Sequence, residues 1–115
     1  MNPQANMVGK SIKDLDTPAL LVDLDILDQN IATMKRVIIE EAGIRWRPHT
    51  KAIKTPAIAH KLLRAGAHGI TCAKLREAEV MASAGIRNIL IANQVVGASK
   101  LARLAEKRLH SREYI

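Results

Sequence analysis

Residues 44–54, IRWRPHTKAIK, gather the groups in this sequence that could do chemistry. Lys51 is the centre of the stretch. Ile44, Trp46 and Arg47-Pro48-His49 precede it, and Lys54 and Thr55-Pro56 follow. A lysine at the mouth of a strand, crowded by other cations, is suited to forming a Schiff base. Nearby positive charge and partial desolvation both disfavour the ammonium form and free the amine to attack a carbonyl. The competing reading is a basic turn on a solvated surface, and the flanking elements bear on the choice.

Alternation along an extended segment puts Arg45, Arg47, His49 and Lys51 on one face and Ile44 and Trp46 on the other. Four polar residues on one face of a buried strand call for a polar interior. A cavity holding an anionic ligand would supply it. So would carboxylates such as Asp23 or Asp25 paired with the arginines. His49 could shuttle a proton or make a structural hydrogen bond.

Ligands in parallel α/β folds sit at the carboxyl ends of the strands. That rule adds Lys74, Asn93 and Gln94 to the candidates. Lys74 either reaches the same cavity or lies on the surface, and Asn93 either bonds a ligand or starts a turn. His60 and His68 read as solvated, and Cys72 reads as a core thiol. No two histidines have metal-ligand spacing and Cys72 is the only cysteine, so no metal site is expected in this chain.

The elements that must position these residues alternate. Residues 19–25, ALLVDLD, read as a first strand, with Asp25 capping the next helix. Leu27, Ile31, Met34 and Ile38 share one face of that helix, and Gly43 ends it. Residues 44–50 form a second strand. Thr55 caps a second helix with Pro56 in its first position, ended by Gly66. Residues 69–73 and 88–93 are further strands. Residues 75–84 form the helix between them, ended by Gly85. Ser99 caps a fourth helix carrying Leu101, Leu104 and Ala105.

The dipeptide Ala-Gly recurs at 42–43, 65–66 and 84–85, each time between a helix and a strand. This repetition predicts an α/β fold of about four β-α units with parallel strands. The candidates are a partial (β/α)8 TIM-type barrel and a doubly wound sheet. No Gly-x-Gly-x-x-Gly follows the first strand, which weighs against the second. Complete barrels need about 250 residues, so four units make half of one. The expected organisation is a polar leader at 1–16, a partial barrel at 17–109 and a tail at 110–115.

Composition narrows the function. The 115 residues carry a formal charge of +7, but the 18 basic residues are scattered and aromatic content is 2%, so nucleic-acid binding is not expected. No apolar run approaches the ~20 residues of a membrane span, and the N-terminus lacks the apolar core of a signal peptide. One cysteine suits a reducing compartment, so a cytoplasmic location is expected. The outer strands of half a barrel would be unpaired, so a homo-oligomer or an aggregate is expected rather than a clean monomer.

Four stretches, DLDTPALLVDLD, RPHTKAIKTPAIAHKLLRAGA, GITCAKLREAEVMASAGI and NILIANQVVG, also resemble a known family. They are similar to the N-terminal part of the D-threonine aldolase and D-serine dehydratase family, fold-type III pyridoxal-phosphate enzymes related to alanine racemase. The resemblance implies that Lys51 is the Schiff-base lysine, with Lys54 the second lysine of the pattern. It implies a cofactor contact at Lys74 or Ala73, and His49 and Asn93 join the cofactor-binding candidates. The implied substrate is a small β-hydroxy-D-amino acid, cleaved to glycine and an aldehyde. The alternatives are elimination to a keto acid and ammonia, a non-catalytic pyridoxal-phosphate-binding protein, or an inactive fragment. Family members are longer. They complete the barrel and add a β-rich domain with divalent-metal ligands, so this chain is expected to be a truncated member. Ile53 stands where many relatives carry histidine.

Overall fold

The computed structural model describes residues 7–110, with side chains through Glu106. The elements are α1 (Leu24–Lys35), α2 (Pro56–Arg64), β1 (Ile70–Cys72), α3 (Leu75–Ser83), β2 (Ile89–Ile91) and α4 (Ala98–His110). The chain is α/β, and β1 and β2 pair in parallel with Ile70 opposite Ile89 and Cys72 opposite Ile91. Helix α3 makes the crossover that a parallel pair requires.

Residues 44–50 lie along the other edge of β1. His49 bridges Thr71 in parallel. The Thr71 amide donates to the Pro48 carbonyl, and the Thr50 amide donates to the Thr71 carbonyl, both at 2.8 Å. A regular ladder would next use an amide at position 48, which proline lacks. Pairing therefore resumes out of register, with the His68 amide on the Trp46 carbonyl at 2.8 Å. The expected second strand is present as an extended segment, broken by its own Pro48.

The expected first strand is not formed. Among the described residues no sheet hydrogen bond reaches residues 17–22, and Leu20 is 95% exposed. A lone strand has little stability without a neighbour. Its end is also claimed by the helix. Asp23, not Asp25, is the N-cap, and its Oδ1 accepts the amides of Asp25 and Ile26 at 3.0 Å. Capping at Asp23 draws residues 24 and 25 into α1.

Helix α1 continues into a π-helical turn, Arg36–Glu41. The wider turn re-aims the apolar stripe. Ile31 is buried, while Ile38 and Ile39 pack beside it, but Met34 turns outward. Arg36 pairs with Glu41 across this turn. The glycines of the Ala-Gly repeat have φ of +65° (Gly43), +108° (Gly66) and +84° (Gly85). Each ends a helix in the left-handed conformation that side chains avoid.

Two apolar clusters hold these pieces. Ile70, Cys72, Met81, Ile86 and Ile89 form one, between the strands and α3. Ile31, Trp46, Leu62 and Ala67 form the other, between α1 and α2. Helix α2 serves both, because Ala59 faces the first and Leu62 the second. A 3-10 turn at Ile12–Asp14 lies in the expected leader. The expected tail lies outside the described residues except for His110, which closes α4.

Candidate functional site

The carboxyl ends of the three parallel segments form one rim. Thr50, the last residue before the key lysine, is 1% exposed. Its hydroxyl donates to the Thr71 carbonyl at 3.0 Å and lies 3.5 Å from Cys72 Sγ. Its carbonyl accepts the amides of Ile53 at 3.1 Å and Lys54 at 2.8 Å. The turn over residues 51–53 is thereby clamped at both ends. Lys54 closes it at φ +44°, a conformation that costs a non-glycine residue about 1 kcal/mol or more. Such strain persists only where the surroundings impose it.

Lys51 rides on this turn and is exposed. Its environment differs from the partly desolvated one expected from sequence, because the turn lifts it clear of the core. No carboxylate is paired with it among the described residues, whereas Lys54 Nζ lies 3.8 Å from Glu77 Oε1. The Lys51 amide donates to His49 Nδ1 at 3.1 Å. His49 Nδ1 is therefore an acceptor, and the neutral ring carries its proton on Nε2.

Glu77 and Asn93 tie the neighbouring segments to this rim. Glu77 Oε2 accepts the Ala73 amide at 2.9 Å. Asn93 Nδ2 donates to the Ala73 carbonyl at 3.0 Å, and Asn93 Oδ1 accepts the Gln94 amide at 2.9 Å. Lys74 and Asn93 line one cleft, which Lys51 and His49, on the neighbouring segment, do not line.

The arginines take neither role expected of them. Arg47 Nη1 donates to the carbonyls of Ile70 at 3.4 Å and Asn88 at 3.3 Å, bracing the sheet rather than binding an anion or Asp23 or Asp25. Arg45 Nη1 lies 3.4 Å from His68 Nε2. His60 is half-buried rather than solvated, with Nε2 2.9 Å from the Ala84 carbonyl at the end of α3. Burial pushes the Cys72 thiol up, with the Thr50 hydrogen bond opposing, which suits an inert core thiol.

Sequence reasoning missed Thr50, Glu77, Glu79 and Arg103. Only Glu77 carried a signal, as an acid in the first turn of a helix. Glu79 accepts from Arg103 Nε at 2.8 Å and Nη2 at 2.5 Å, which fastens α4 to α3. That hydrogen bond holds the Glu79 carboxyl below its usual range, with burial opposing. A depressed folded value gives stability that is present above the unfolded value, about 4.3 for Glu, and lost as pH falls through the folded one. The unfolding temperature should therefore drop below about pH 4, and Glu79→Gln should flatten that drop by a few degrees in a pH series of thermal melts. Equal acid slopes for the two proteins would show that the latch contributes nothing.

Parallel segments with polar groups at their carboxyl ends make this a βα-repeat domain, a fold class in which ligands generally meet that rim. The chain belongs to the family described as alanine racemase, N-terminal domain, which matches residues 22–111. It is 39% identical to the D-threonine aldolase of an Arthrobacter species over 104 residues, 90% of this chain and 27% of that protein. It is 45% identical to the D-threo-3-hydroxyaspartate dehydratase of Delftia sp. (strain HT23) over 78 residues, 68% of this chain and 20% of that protein. The crystal structure of D-threonine aldolase from Filomicrobium marinum superposes with a TM-score of 0.81 at 49% identity, covering 85% of this chain and 26% of that one. The chain thus spans between 20% and 27% of the length of these curated relatives. No helix among the described residues is long and apolar enough to cross a membrane.

Proposed function

We propose that this chain is the cofactor-lysine half-barrel of a pyridoxal-phosphate-dependent lyase acting on β-hydroxy-D-amino acids. The observation that carries the reading is Lys51: an exposed amine without a carboxylate partner among the described residues, on a strained and hydrogen-bonded turn at the carboxyl rim of parallel strands. An aldehyde cofactor fits this setting, because the amine is open to attack and its backbone is held. Lys51 Nζ would hold the cofactor covalently. His49 Nε2, Lys74 and Asn93 supply polar groups along the same rim, and Thr50 keeps the lysine-bearing turn in place.

When bound, the cofactor supplies an electron sink for bond cleavage at the substrate α-carbon. The freed Lys51 amine can then take or return a proton at that carbon. Cleavage of Cα–Cβ, as the name D-threonine aldolase denotes, is the first reading. Loss of the hydroxyl and ammonia is the second, supported by the likeness to a dehydratase. Among the described residues no group of three His, Cys, Asp or Glu side chains is placed to hold a metal ion. The exposure of the apolar side chains Leu20, Val22 and Ile44 supports a homo-oligomer that covers them.

The test is a titration of the whole chain with pyridoxal phosphate, followed by visible absorbance. A saturable absorbance change at one equivalent is expected, lost in Lys51→Ala and kept in Lys10→Ala. Equal responses in the two variants would exclude the reading. Sedimentation of the same sample checks self-association: only a 12.6 kDa species would contradict it.

A further inference from the structure

Two exposed amines, Lys51 and Lys54, stand at the two ends of the turn on the rim. An aldehyde that reaches this turn meets both, and they differ in their surroundings. Among the described residues no carboxylate is paired with Lys51, whereas Lys54 Nζ lies 3.8 Å from Glu77 Oε1.

The Glu77 carboxylate is fixed by its own helix. It stands in the first turn of α3, where negative charge is stabilising. Its side chain is only 16% exposed, and Oε2 accepts the Ala73 amide at 2.9 Å, which leaves Oε1 for Lys54. Val80 and Met81 line the same recess as the pair, and apolar walls weaken the screening of charge by water. Arg76 lines that recess too, but its Nη1 lies 3.7 Å from Glu79 Oε2. Lys54 is therefore the one cation within ion-pair distance of Glu77 among the described residues. The backbone fixes this partner as well, because the Lys54 amide donates to the Thr50 carbonyl at 2.8 Å.

We propose that Glu77 determines which lysine of this turn reacts with an aldehyde, by engaging Lys54 and leaving Lys51 as the open amine. The inference rests on the reading of Lys51 as the cofactor lysine and adds the residue that makes the turn selective. An ammonium group must first release a proton to water. Its nitrogen lone pair then attacks the aldehyde carbon, and the carbon–nitrogen double bond forms as the aldehyde oxygen departs as water. Reaction at Lys54 must also give up the ion pair with Glu77. Reaction at Lys51 gives up no such pair.

Limited reductive methylation of the whole chain with formaldehyde and cyanoborohydride, read residue by residue by mass spectrometry, tests it. In the parent, Lys54 should take less label than Lys51 or Lys10. Glu77→Gln keeps an oxygen for the Ala73 amide and removes the charge. It should raise labelling of Lys54 about threefold, the range open to a partly exposed ion pair, and leave Lys51 and Lys10 unchanged. Salt at about 1 M should raise Lys54 labelling in the parent by a similar factor and have no effect in the variant. Equal Lys54 labelling in the two folded proteins would overturn the proposal. A rise shared by all three lysines would mean that the variant has unfolded, and the salt series on the parent then decides. There a rise confined to Lys54 upholds the proposal, and no rise overturns it. Formaldehyde reads the pair without the cofactor. Scattered label with pyridoxal phosphate beside a Lys54-specific response to formaldehyde would therefore refute the reading of Lys51 and not the action of Glu77 on Lys54.

Discussion

Alanine at Gly69 should destabilise the chain by about 2–3 kcal/mol, the usual cost of forcing atoms into a filled site. A Cβ built there stands 2.5 Å from the Asn88 carbonyl oxygen and 2.8 Å from Asn88 Cγ, and it also meets Arg47 Nη1. The arginine could swing away, but the carbonyl is backbone. It accepts the Ile70 amide at 2.9 Å, the bond that starts the parallel pair. Relief of the clash must therefore part β1 from β2 or tilt Asn88, whose Nδ2 holds the His68 carbonyl at 2.8 Å. Urea unfolding of Gly69→Ala against the parent reads the effect as a lower midpoint. An unchanged midpoint would mean that the close approach of these segments is not maintained in solution.

Removing the Ile70 side chain beyond Cβ should cost about 2–5 kcal/mol, while the same change at Leu90 should stay within about 0.5 kcal/mol. Ile70 is fully buried against Met81, Ile86 and Ile89, and Leu90 is 39% exposed. Truncation of Ile70 opens a cavity in the cluster that joins β1 to α3. The pair of variants tests the register, because Ile89 lies opposite Ile70 and Leu90 must then point the other way. Small domains have only about 5–15 kcal/mol to lose, so Ile70→Ala should remove a large share of the stability. Equal midpoints for the two variants would contradict the assigned inner face.

The repeat of strands and helices could be read from sequence because its punctuation is local. Gly43, Gly66 and Gly85 each follow alanine and each end a helix, and Pro56 starts α2 after Thr55. Three features were not local. The run at 19–25 has the composition of a strand, but a strand needs a neighbour, and Asp23 captures its end as a cap. Arg47 shares parity with His49 and Lys51, yet its guanidinium reaches carbonyls 23 and 41 residues away. The Glu79–Arg103 latch spans 24 residues and leaves no pattern in either helix alone. The candidate lysine could be picked out from Arg47-Pro48-His49-x-Lys51 and its place at a strand end. The turn that holds it depends on Thr50, whose burial only tertiary packing reveals.

The most direct measurement of the central claim is borohydride trapping of the whole chain with pyridoxal phosphate, followed by peptide mapping. The strained turn and the open amine predict one dominant modified residue, Lys51, among all the lysines. Lys51→Ala should leave only weak, scattered label. Label spread evenly over Lys10, Lys13, Lys51 and Lys100 in the parent chain would mean that the rim confers no selectivity. Lys51 would then be a surface lysine on a basic turn.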